Sequence, residues 1–300
     1  MIVGESAAIK RAKGLAERFA PTRLAILLVG PTGTGKELFA QFIHERSGRE
    51  GALVDVNCCA LPRDMAESLL FGHERGAFTG AIQQSKGAFE RANRGTILLD
   101  ELSGLALEIQ GKLLRVLETR QVERLGGQRK CEADARVIGA VQDTIGRDVA
   151  TGRFRRDLYH RVAGVVIELL PLAERMEDVL PLANHFAALQ HQRLEVNSER
   201  TLLDHTWAGN VRELRLAIER AGQLVENGTI PAEAVEQAIA LGRPNGHALS
   251  TTTVIDVSDL VKVCECNGWH ADRSARALGI HRATLFRRLK RAGISLRHRC

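Results

Sequence analysis

The chain has 300 residues, of which 44% are hydrophobic and 26% are charged, a composition typical of a soluble globular protein with about two domains. No apolar run approaches the roughly 20 residues of a membrane span and no secretory leader opens the chain, so we expect no membrane association and a cytoplasmic location. The net charge is +6, but residues 273–300 contain nine Arg or Lys and no acidic residue, which predicts an anionic polymer as a partner at that end.

Six cysteines are present, and their spacing forms no Cys-x-x-Cys pair and no common zinc-binding pattern. They are Cys58, Cys59, Cys131, Cys264, Cys266 and Cys300. We predict reduced thiols, as is usual in a cytosolic protein.

The first part of the chain alternates short apolar runs with helical patterns. The predicted strands are residues 25–29, 52–56, 96–99, 136–141 and 164–168. Predicted helices lie between them, for example over residues 35–43 and 105–117. Strands that alternate with helices predict an α/β fold, with a parallel sheet covered by helices on both faces.

A glycine-rich loop follows the first predicted strand and opens a predicted helix. It reads Gly30-Pro31-Thr32-Gly33-Thr34-Gly35-Lys36. In this context backbone N–H groups and the helix N-terminus converge on phosphate oxygens, and Lys36 adds a compact positive charge. The pattern predicts a P-loop that binds a nucleotide, although Glu37 stands where a Ser or Thr usually contacts Mg²⁺. Pro31 has no N–H, so it shapes the loop without donating.

The next distinctive segment, which precedes the third predicted strand, reads Gly76-Ala77-Phe78-Thr79-Gly80-Ala81. One aromatic and one hydroxyl side chain between small residues cannot pack a core, and the two glycines allow a tight reversal of the chain. We predict a mobile surface loop with Phe78 near its tip, which pushes against a partner protein.

Two carboxylates, Asp100 and Glu101, end the third predicted strand. Ligands of parallel sheets bind beyond the carboxyl ends of the strands, so this position suits an Asp100 linked to Mg²⁺ and a Glu101 that polarises the attacking water. For an Asp-Glu sequence alone, a charge pair at a helix N-terminus is the alternative. The preceding P-loop favours nucleotide hydrolysis.

The pattern changes after Pro171, where residues 176–240 show helical periodicity and no convincing strand. We therefore predict an α/β domain over residues 1–172, a helical subdomain over residues 173–241 and a linker over residues 242–254.

Residues 255–300 are predicted to form a small all-α domain that contains a helix-turn-helix. One helix is predicted over residues 272–278 and a second over residues 282–292, with Leu285 and Leu289 facing inward. The second helix is basic on its outer face. The candidates for contact with bases or phosphates are Arg282, Thr284, Arg287 and Arg288.

Several motifs together resemble those of the bacterial enhancer-binding proteins, the AAA+ activators of sigma-54 RNA polymerase. They are the P-loop ending in Gly-Lys-Glu and residues 56–58, 70–74, 76–81, 95–101, 123–127, 154–161 and 209–214. Residues 277–280 and 284–287 resemble the Fis-type helix-turn-helix that is common at the C-terminus of this family. The resemblance covers nearly all of residues 2–296, and it implies an AAA+ P-loop NTPase with an α-helical lid.

The resemblance implies a role for each matching residue in ATP hydrolysis. Lys36 is expected to bind the β- and γ-phosphates, Asp100 to organise Mg²⁺, and Glu101 to activate water. Asn57 is expected to hold Glu101 in an inactive pose until the γ-phosphate is sensed. ATP and Mg²⁺ are thus the expected cofactors.

The same resemblance assigns residues outside the P-loop. Arg155 and Arg161 are expected to reach into the site of the neighbouring subunit, which requires self-association from a dimer to a ring, usually a hexamer. Arg212 is expected to sense nucleotide from the lid, and Ile2 and Val3 to line the adenine pocket.

The resemblance also implies the macromolecular partners. The segment 76–81 is expected to contact sigma-54 in the RNA polymerase holoenzyme, with residues 123–127 as a second, supporting loop. The C-terminal domain is expected to bind double-stranded enhancer DNA and to dimerise. Residues 2–6 resemble the first residues of the ATPase, so no sensory domain is expected before them, and control is expected to come from a regulatory partner protein, from the expression level or from a further portion of the protein.

One departure from the family pattern lies at the end of the fourth predicted strand. Where the family usually has Thr-Asn, this chain has Val141-Gln142. The hydroxyl is missing and the amide stands one methylene further out. Gln142 remains a candidate for positioning water or reporting on the γ-phosphate, and we expect slower ATP hydrolysis than in relatives with Thr-Asn.

Two other functions remain open at this point. One is a DNA-binding regulator that binds nucleotide without remodelling sigma-54, but the intact segment 76–81 speaks against it. The other is an AAA+ helicase or unfoldase that holds its substrate with the basic tail, against which the helix-turn-helix pattern and Phe78-Thr79 argue.

Overall fold

The structure is a computed structural model that describes residues 2–242 and, beyond them, residues 263–265, 267, 269–270, 273–274, 285 and 289. These residues belong to two compact units, Met1–Ala238 and Ile239–Cys300. Among the described residues, no helix has the length and apolarity needed to cross a lipid bilayer.

The strands within residues 2–242 are short, and those of the main sheet are mostly apolar. In chain order they are β1 (Ile26–Val29), β2 (Leu53–Asn57), β3 (Gly72–His73), β4 (Ser85–Lys86), β5 (Thr96–Asp100), β6 (Gln121–Glu123), β7 (Lys130–Glu132), β8 (Arg136–Val141), β9 (Val165–Glu168), β10 (Arg193–Leu194) and β11 (Thr229–Ile230).

The helices of the same range are amphipathic. They are α1 (Ala7–Phe19), α2 (Lys36–Glu45), α3 (Arg63–Phe71), α4 (Ala88–Arg91), α5 (Leu107–Thr119), α6 (Ile145–Ala150), α7 (Arg156–Val162), α8 (Val179–Leu189), α9 (Ser198–Asp204), α10 (Asn210–Gln223) and α11 (Ala232–Leu241).

The main sheet has five parallel strands in the order β2-β5-β8-β1-β9. Successive side chains of a strand point to opposite faces, and both faces of this sheet are covered. Ile26 and Leu28 pack with α1 and α2, while Leu27 packs with α3, α5 and α7. The α/β fold with helices on both faces is confirmed, and each predicted strand lies within one residue of an observed one.

The helical subdomain departs from prediction in one respect. Residues 176–240 were expected to contain no strand, yet β10 and β11 form a short parallel ladder that pairs Arg193 with Thr229 and Leu194 with Ile230. Each strand has two residues, which is too short to show a period-2 pattern in the sequence. The antiparallel pairs β3–β4 and β6–β7, whose strands have two and three residues, were also too short to predict.

The predicted helix-turn-helix lies mostly outside the described residues, including Arg282, Thr284, Arg287 and Arg288. Leu285 and Leu289 are described, and both are helical and buried, as expected for the inner face of the second helix.

Candidate nucleotide-binding site

The strand order brings four functional segments to one edge of the sheet. The strands are parallel, so the ends of β2, β5, β8 and β1 lie side by side. Asn57 is in register with Asp100, and Val29 with Val141. Beyond the strands, the Gly30 N–H donates to the Val141 carbonyl at 3.1 Å. The predicted P-loop therefore emerges beside the candidate catalytic residues.

The P-loop wraps around the Lys36 side chain, which is 7% exposed. The ammonium donates to the carbonyl oxygens of Gly30 at 2.7 Å and Pro31 at 3.2 Å. Burial lowers the pKa of Lys36, while the carboxylates of Glu101 and Asp100 act in the opposite direction. A buried cation at the N-terminus of α2 forms a site for polyphosphate.

The helical subdomain contacts this loop through the Asn210 side chain, which forms hydrogen bonds with backbone atoms. The Asn210 Nδ2 donates to the Thr32 carbonyl at 3.0 Å, and its Oδ1 accepts from the Leu172 N–H at 2.7 Å. At Gly33, with φ +81°, a Cβ would lie 2.4 Å from the Gly209 carbonyl oxygen. Only glycine fits between the loop and the start of α10. Asn210 was missed as a site residue, although it lies inside the recognised motif 209–214.

Arg212 lies on the first turn of α10, close enough for its charge to lower the pKa of Lys36. Asp143 acts on Lys36 in the opposite direction. Its proximity to the P-loop was not predicted, although it directly follows Gln142. The Arg212 N–H donates to the Gly33 carbonyl at 3.3 Å, so the candidate lid arginine lies beside the P-loop.

The acidic pair has a constrained backbone. Glu101 adopts φ +49°, and its N–H donates to the Asp100 Oδ1 at 3.0 Å. The Gln142 Nε2 donates to the Glu101 Oε2 at 3.2 Å. A non-glycine residue in the left-handed region is strained, which is common at functional sites. The structure brings Asp100, Glu101 and Gln142 together.

The expected contact between Asn57 and Glu101 is not formed in this structure. The Asn57 Oδ1 instead accepts from the N–H groups of Cys59 and Ala60, at 3.1 Å each. This hydrogen bonding stabilises the turn after β2, which is a common local use of Asn. The Glu101 carboxylate takes its amide donor from Gln142.

The carboxylates around the P-loop fit a hard divalent cation. Loss of solvent raises the pKa of Asp55, and the nearby carboxylates of Glu37 and Asp100 raise it further. A Mg²⁺ ion would relieve this repulsion and accept such oxygen ligands. Within the described residues, no three His, Cys, Asp or Glu side chains form a ready cation site. This donor set suits an ion bound jointly by nucleotide phosphates and by Asp100.

Arg155 and Arg161 lie on another part of the molecule, at the two ends of α7. Arg155 is exposed and paired with Asp157, with 2.7 Å between Nη2 and Oδ2, while Arg161 donates to the Leu117 carbonyl of α5 at 2.6 Å. The fully buried Gln110 accepts from the Arg155 N–H at 2.9 Å and so fixes the start of α7.

The segment 76–81 forms a tight reversal between β3 and β4. The Gly76 N–H donates to the Ala81 carbonyl at 2.9 Å, and Gly76 and Gly80 have φ of +82° and +103°. The Phe78 ring is 42% exposed and contacts the His73 ring edge-on, with 5.0 Å between ring centres. An exposed aromatic beside an exposed Thr79 is the arrangement expected for protein contact.

A charged cluster links the loop 123–127 to Glu74, just before this segment, and to Glu90 of α4. Arg124 donates twice to Glu90, at 2.6 and 2.8 Å, and once to Glu74 at 2.9 Å. Burial acts to raise the pKa of Glu90, but the hydrogen bonds and charge of Arg124 more than offset this and hold it below its ordinary value. Gly126 packs against Ala77, where a Cβ would lie 2.9 Å from the Ala77 Cβ.

The P-loop under a helical lid, beside an acidic strand end, defines an AAA+ P-loop NTPase. A family model described as "Sigma-54 interaction domain" matches residues 2–168, and one described as "AAA+ ATPase lid domain" matches residues 173–252. The chain belongs to the sigma-54 interaction domain family.

Three proteins illustrate the similarity. "Nitrogen fixation protein AnfA" of Azotobacter vinelandii is 37% identical over 98% of this chain and 58% of its own length. "Formate hydrogenlyase transcriptional activator FhlA" of Escherichia coli is 40% identical over 98% of this chain and 44% of its own. The crystal structure of NtrX from Brucella abortus in complex with ADP has 30% identity and a TM-score of 0.75, covering 98% of this chain and 70% of that one. The chain thus spans about half the length of the curated relatives.

The contact between Gln142 and Glu101 makes the departure at Val141-Gln142 testable. We expect Val141→Thr with Gln142→Asn to raise ATP turnover by about fivefold. The reason is that the shorter Asn side chain loses the charge-assisted hydrogen bond to the Glu101 carboxylate, which is then free to act on water. Steady-state phosphate release measures the effect, and Val141→Thr alone separates the hydroxyl from the amide. Unchanged turnover in the double variant would remove the hypothesis.

Proposed function

We propose that this chain is a sigma-54-dependent transcription activator. In this proposal it binds upstream enhancer DNA and uses ATP hydrolysis in a ring oligomer to convert the closed sigma-54 RNA polymerase complex into the open one. The observation that carries the proposal is the exposed segment 76–81, which follows Glu74, a hydrogen-bond partner of Arg124, in a domain of the sigma-54 interaction family.

The nucleotide chemistry is assigned to the edge of the sheet. Lys36 binds the β- and γ-phosphates, and Glu101 positions and polarises the attacking water from beside the P-loop. Asp100 would hold Mg²⁺, which when bound would neutralise charge on the phosphates. Arg212 reports on the nucleotide from the lid. The P-loop backbone over residues 30–35, which wraps around Lys36, supports this assignment. In the proposal, Ile2 and Val3 supply the apolar surface for the adenine.

The contacts between subunits of the ring are assigned to α7. Arg155 and Arg161 are presented on or near the protein surface, where their partners are Asp157 and the Leu117 carbonyl. A guanidinium that enters a neighbouring site can stabilise charge on the γ-phosphate. Such a site is complete only between two copies of the chain, so hydrolysis depends on assembly.

The partner contact is assigned to Phe78 and Thr79, with the loop 123–127 behind them. DNA contact is assigned to Arg282, Thr284, Arg287 and Arg288, which belong to the basic segment beyond residue 272. Control is proposed to come from a regulatory partner protein, from the expression level or from a further portion of the protein.

Transcription in vitro tests the proposal. The purified chain is combined with sigma-54 holoenzyme and a supercoiled promoter template, with either ATP or a non-hydrolysable analogue, and open-complex formation is followed by permanganate reactivity. We expect an open promoter with ATP alone. ATP hydrolysis without promoter opening would contradict the proposal and point to remodelling of another substrate, while DNA binding without hydrolysis would indicate a purely regulatory protein.

The Arg124 cluster gives a second test of the same function. We expect Arg124→Met to reduce ATP-dependent transcription by about tenfold or more, with ATP turnover within twofold, because the loop 123–127 loses three charge-assisted hydrogen bonds to Glu74 and to Glu90 of α4. Arg129→Met, at an exposed position nearby, is the matched control and should behave as wild type.

Removing Arg124 also leaves the Glu90 carboxylate unpaired at 8% exposure, which destabilises the fold. The variant Arg124→Met with Glu90→Gln removes this charge and should recover thermal stability without recovering transcription. If transcription returns together with stability, the cluster supports only the fold.

A further inference from the structure

A buried ion pair lies where the α/β part meets the helical subdomain, and none of the roles above uses it. Arg175 is 3% exposed and Asp178 is fully buried, with 3.5 Å between Nη1 and Oδ2. A buried ion pair is weak evidence for stability, because hydrophobic residues of similar volume often stabilise as well. The role of the Arg175–Asp178 pair is therefore inferred from its hydrogen-bond partners.

Asp178 holds the start of the chain. Its Oδ1 accepts from the Glu5 N–H at 2.6 Å and the Ser6 N–H at 2.7 Å, and its Oδ2 accepts from the Ser6 hydroxyl at 2.7 Å. At Gly4, with φ +153°, a Cβ would lie 2.9 Å from the Asp178 Oδ1, so a glycine is needed for this approach. The carboxylate thus fixes residues 4–6, which directly follow Ile2 and Val3.

Arg175 holds the P-loop. Its Nη2 donates to the Thr34 carbonyl at 3.0 Å, and its Nε donates to the Leu170 carbonyl at 3.1 Å. Burial lowers the pKa of Arg175, and the charge of Asp178 acts against this. A planar guanidinium can make these three contacts together, whereas a lysine ammonium on a flexible stem is not organised to do so.

The pair therefore connects the N-terminal segment to the phosphate loop through hydrogen bonds at each end and its own ion pair in the middle. The series runs from Ser6 through Asp178 and Arg175 to the Thr34 carbonyl, and every one of these residues is at most 3% exposed. Because the series is shielded from water, a displacement at one end is resisted at the other.

We propose that Arg175 and Asp178 are positioning residues. They hold residues 2–6, the segment proposed to face the adenine, in a fixed position relative to the P-loop, so that the nucleoside part of ATP contributes to affinity. This inference rests on the proposed nucleotide site, in which Ile2 and Val3 face the adenine and the P-loop holds the phosphates. It predicts that loss of Asp178 affects ligands with a base and spares ligands without one.

The test compares ADP with pyrophosphate by isothermal titration calorimetry of the full chain. In Asp178→Asn, which keeps the side-chain shape, we expect the Kd for ADP to rise about tenfold or more, because residues 4–6 lose a charged acceptor. The Kd for pyrophosphate should stay within twofold. Glu177→Gln, an exposed carboxylate of the same turn, is the matched control and should change neither Kd.

A second variant protects the test against a folding defect. Ser6→Ala removes the hydrogen bond to Asp178 and the cap that the Ser6 hydroxyl gives the Ile9 N–H, and it keeps the buried charges paired, so it should raise the Kd for ADP by about threefold and spare pyrophosphate. Thermal unfolding without ligand reports the stability of each variant. If Asp178→Asn does not fold, Ser6→Ala decides alone.

Two results would overturn the inference while leaving the nucleotide site in place. They are an unchanged Kd for ADP in the folded variants, and a parallel weakening of ADP and pyrophosphate, which would mean that the pair only supports the fold or the phosphate loop. A wild-type chain that binds no ADP would instead overturn the proposed function itself, and the inference with it.

Discussion

Glu101→Gln is expected to lower ATP turnover by roughly 10²- to 10⁴-fold, the usual contribution of a general base. The amide of the variant has the same shape as the carboxylate, so the side chain still fits beside the Gln142 Nε2, which lies 3.2 Å from the Glu101 Oε2. It cannot polarise water as a carboxylate does. Phosphate release measures the loss, and binding of a fluorescent ATP analogue should stay within about threefold of wild type, because the P-loop and Lys36 are unchanged.

The matched control for this variant is Glu108→Gln, an exposed carboxylate in the first turn of α5. It should hydrolyse ATP at the wild-type rate. Turnover by Glu101→Gln within tenfold of wild type would show that another group activates the water. Asp143 is then the candidate to examine, because its charge also acts at Lys36.

Thr79→Ala is expected to abolish promoter opening while ATP turnover remains within twofold. Thr79 is exposed in the segment 76–81, whose backbone is held by the hydrogen bond from Gly76 to Ala81 and by the Arg124 cluster. Deleting the hydroxyl leaves those contacts in place, so the fold and the nucleotide site should be unaffected. The measurement pairs permanganate reactivity at the promoter with phosphate release from the same preparation.

Thr151→Ala provides the comparison, because it removes an exposed hydroxyl at the end of α6, away from this loop. It should open the promoter as wild type does. Normal promoter opening by Thr79→Ala would exclude Thr79 as a contact to sigma-54. A parallel loss of turnover would mean that the loop acts on hydrolysis and not on the partner.

Most of the fold could be predicted from the sequence because its signals are local. The strands of the main sheet are apolar runs, and the P-loop needs only its glycines, Lys36 and a following helix. The short strands β3, β4, β10 and β11 could not be predicted, because two residues carry no period and their pairing is set by neighbouring elements.

The position of a candidate residue could be predicted where the residue ends a strand or opens a helix. Asp100, Glu101 and Lys36 are such residues, and the parallel sheet brings them to one edge. Asn57 shows the limit, since a side-chain amide can bond locally or across the site. In this structure the Asn57 amide oxygen accepts hydrogen bonds locally, from the N–H groups of Cys59 and Ala60.

By itself, the sequence determined the class of fold, the phosphate loop, the acidic strand end and the exposed segment 76–81, since each is specified by residues adjacent in the chain. Only the tertiary structure decided that Asp178 meets Ser6, that Arg175 meets Thr34 and that Arg124 meets Glu74 and Glu90. These contacts join residues that are distant in the chain, and burial strengthens them because few water molecules compete for the same donors and acceptors.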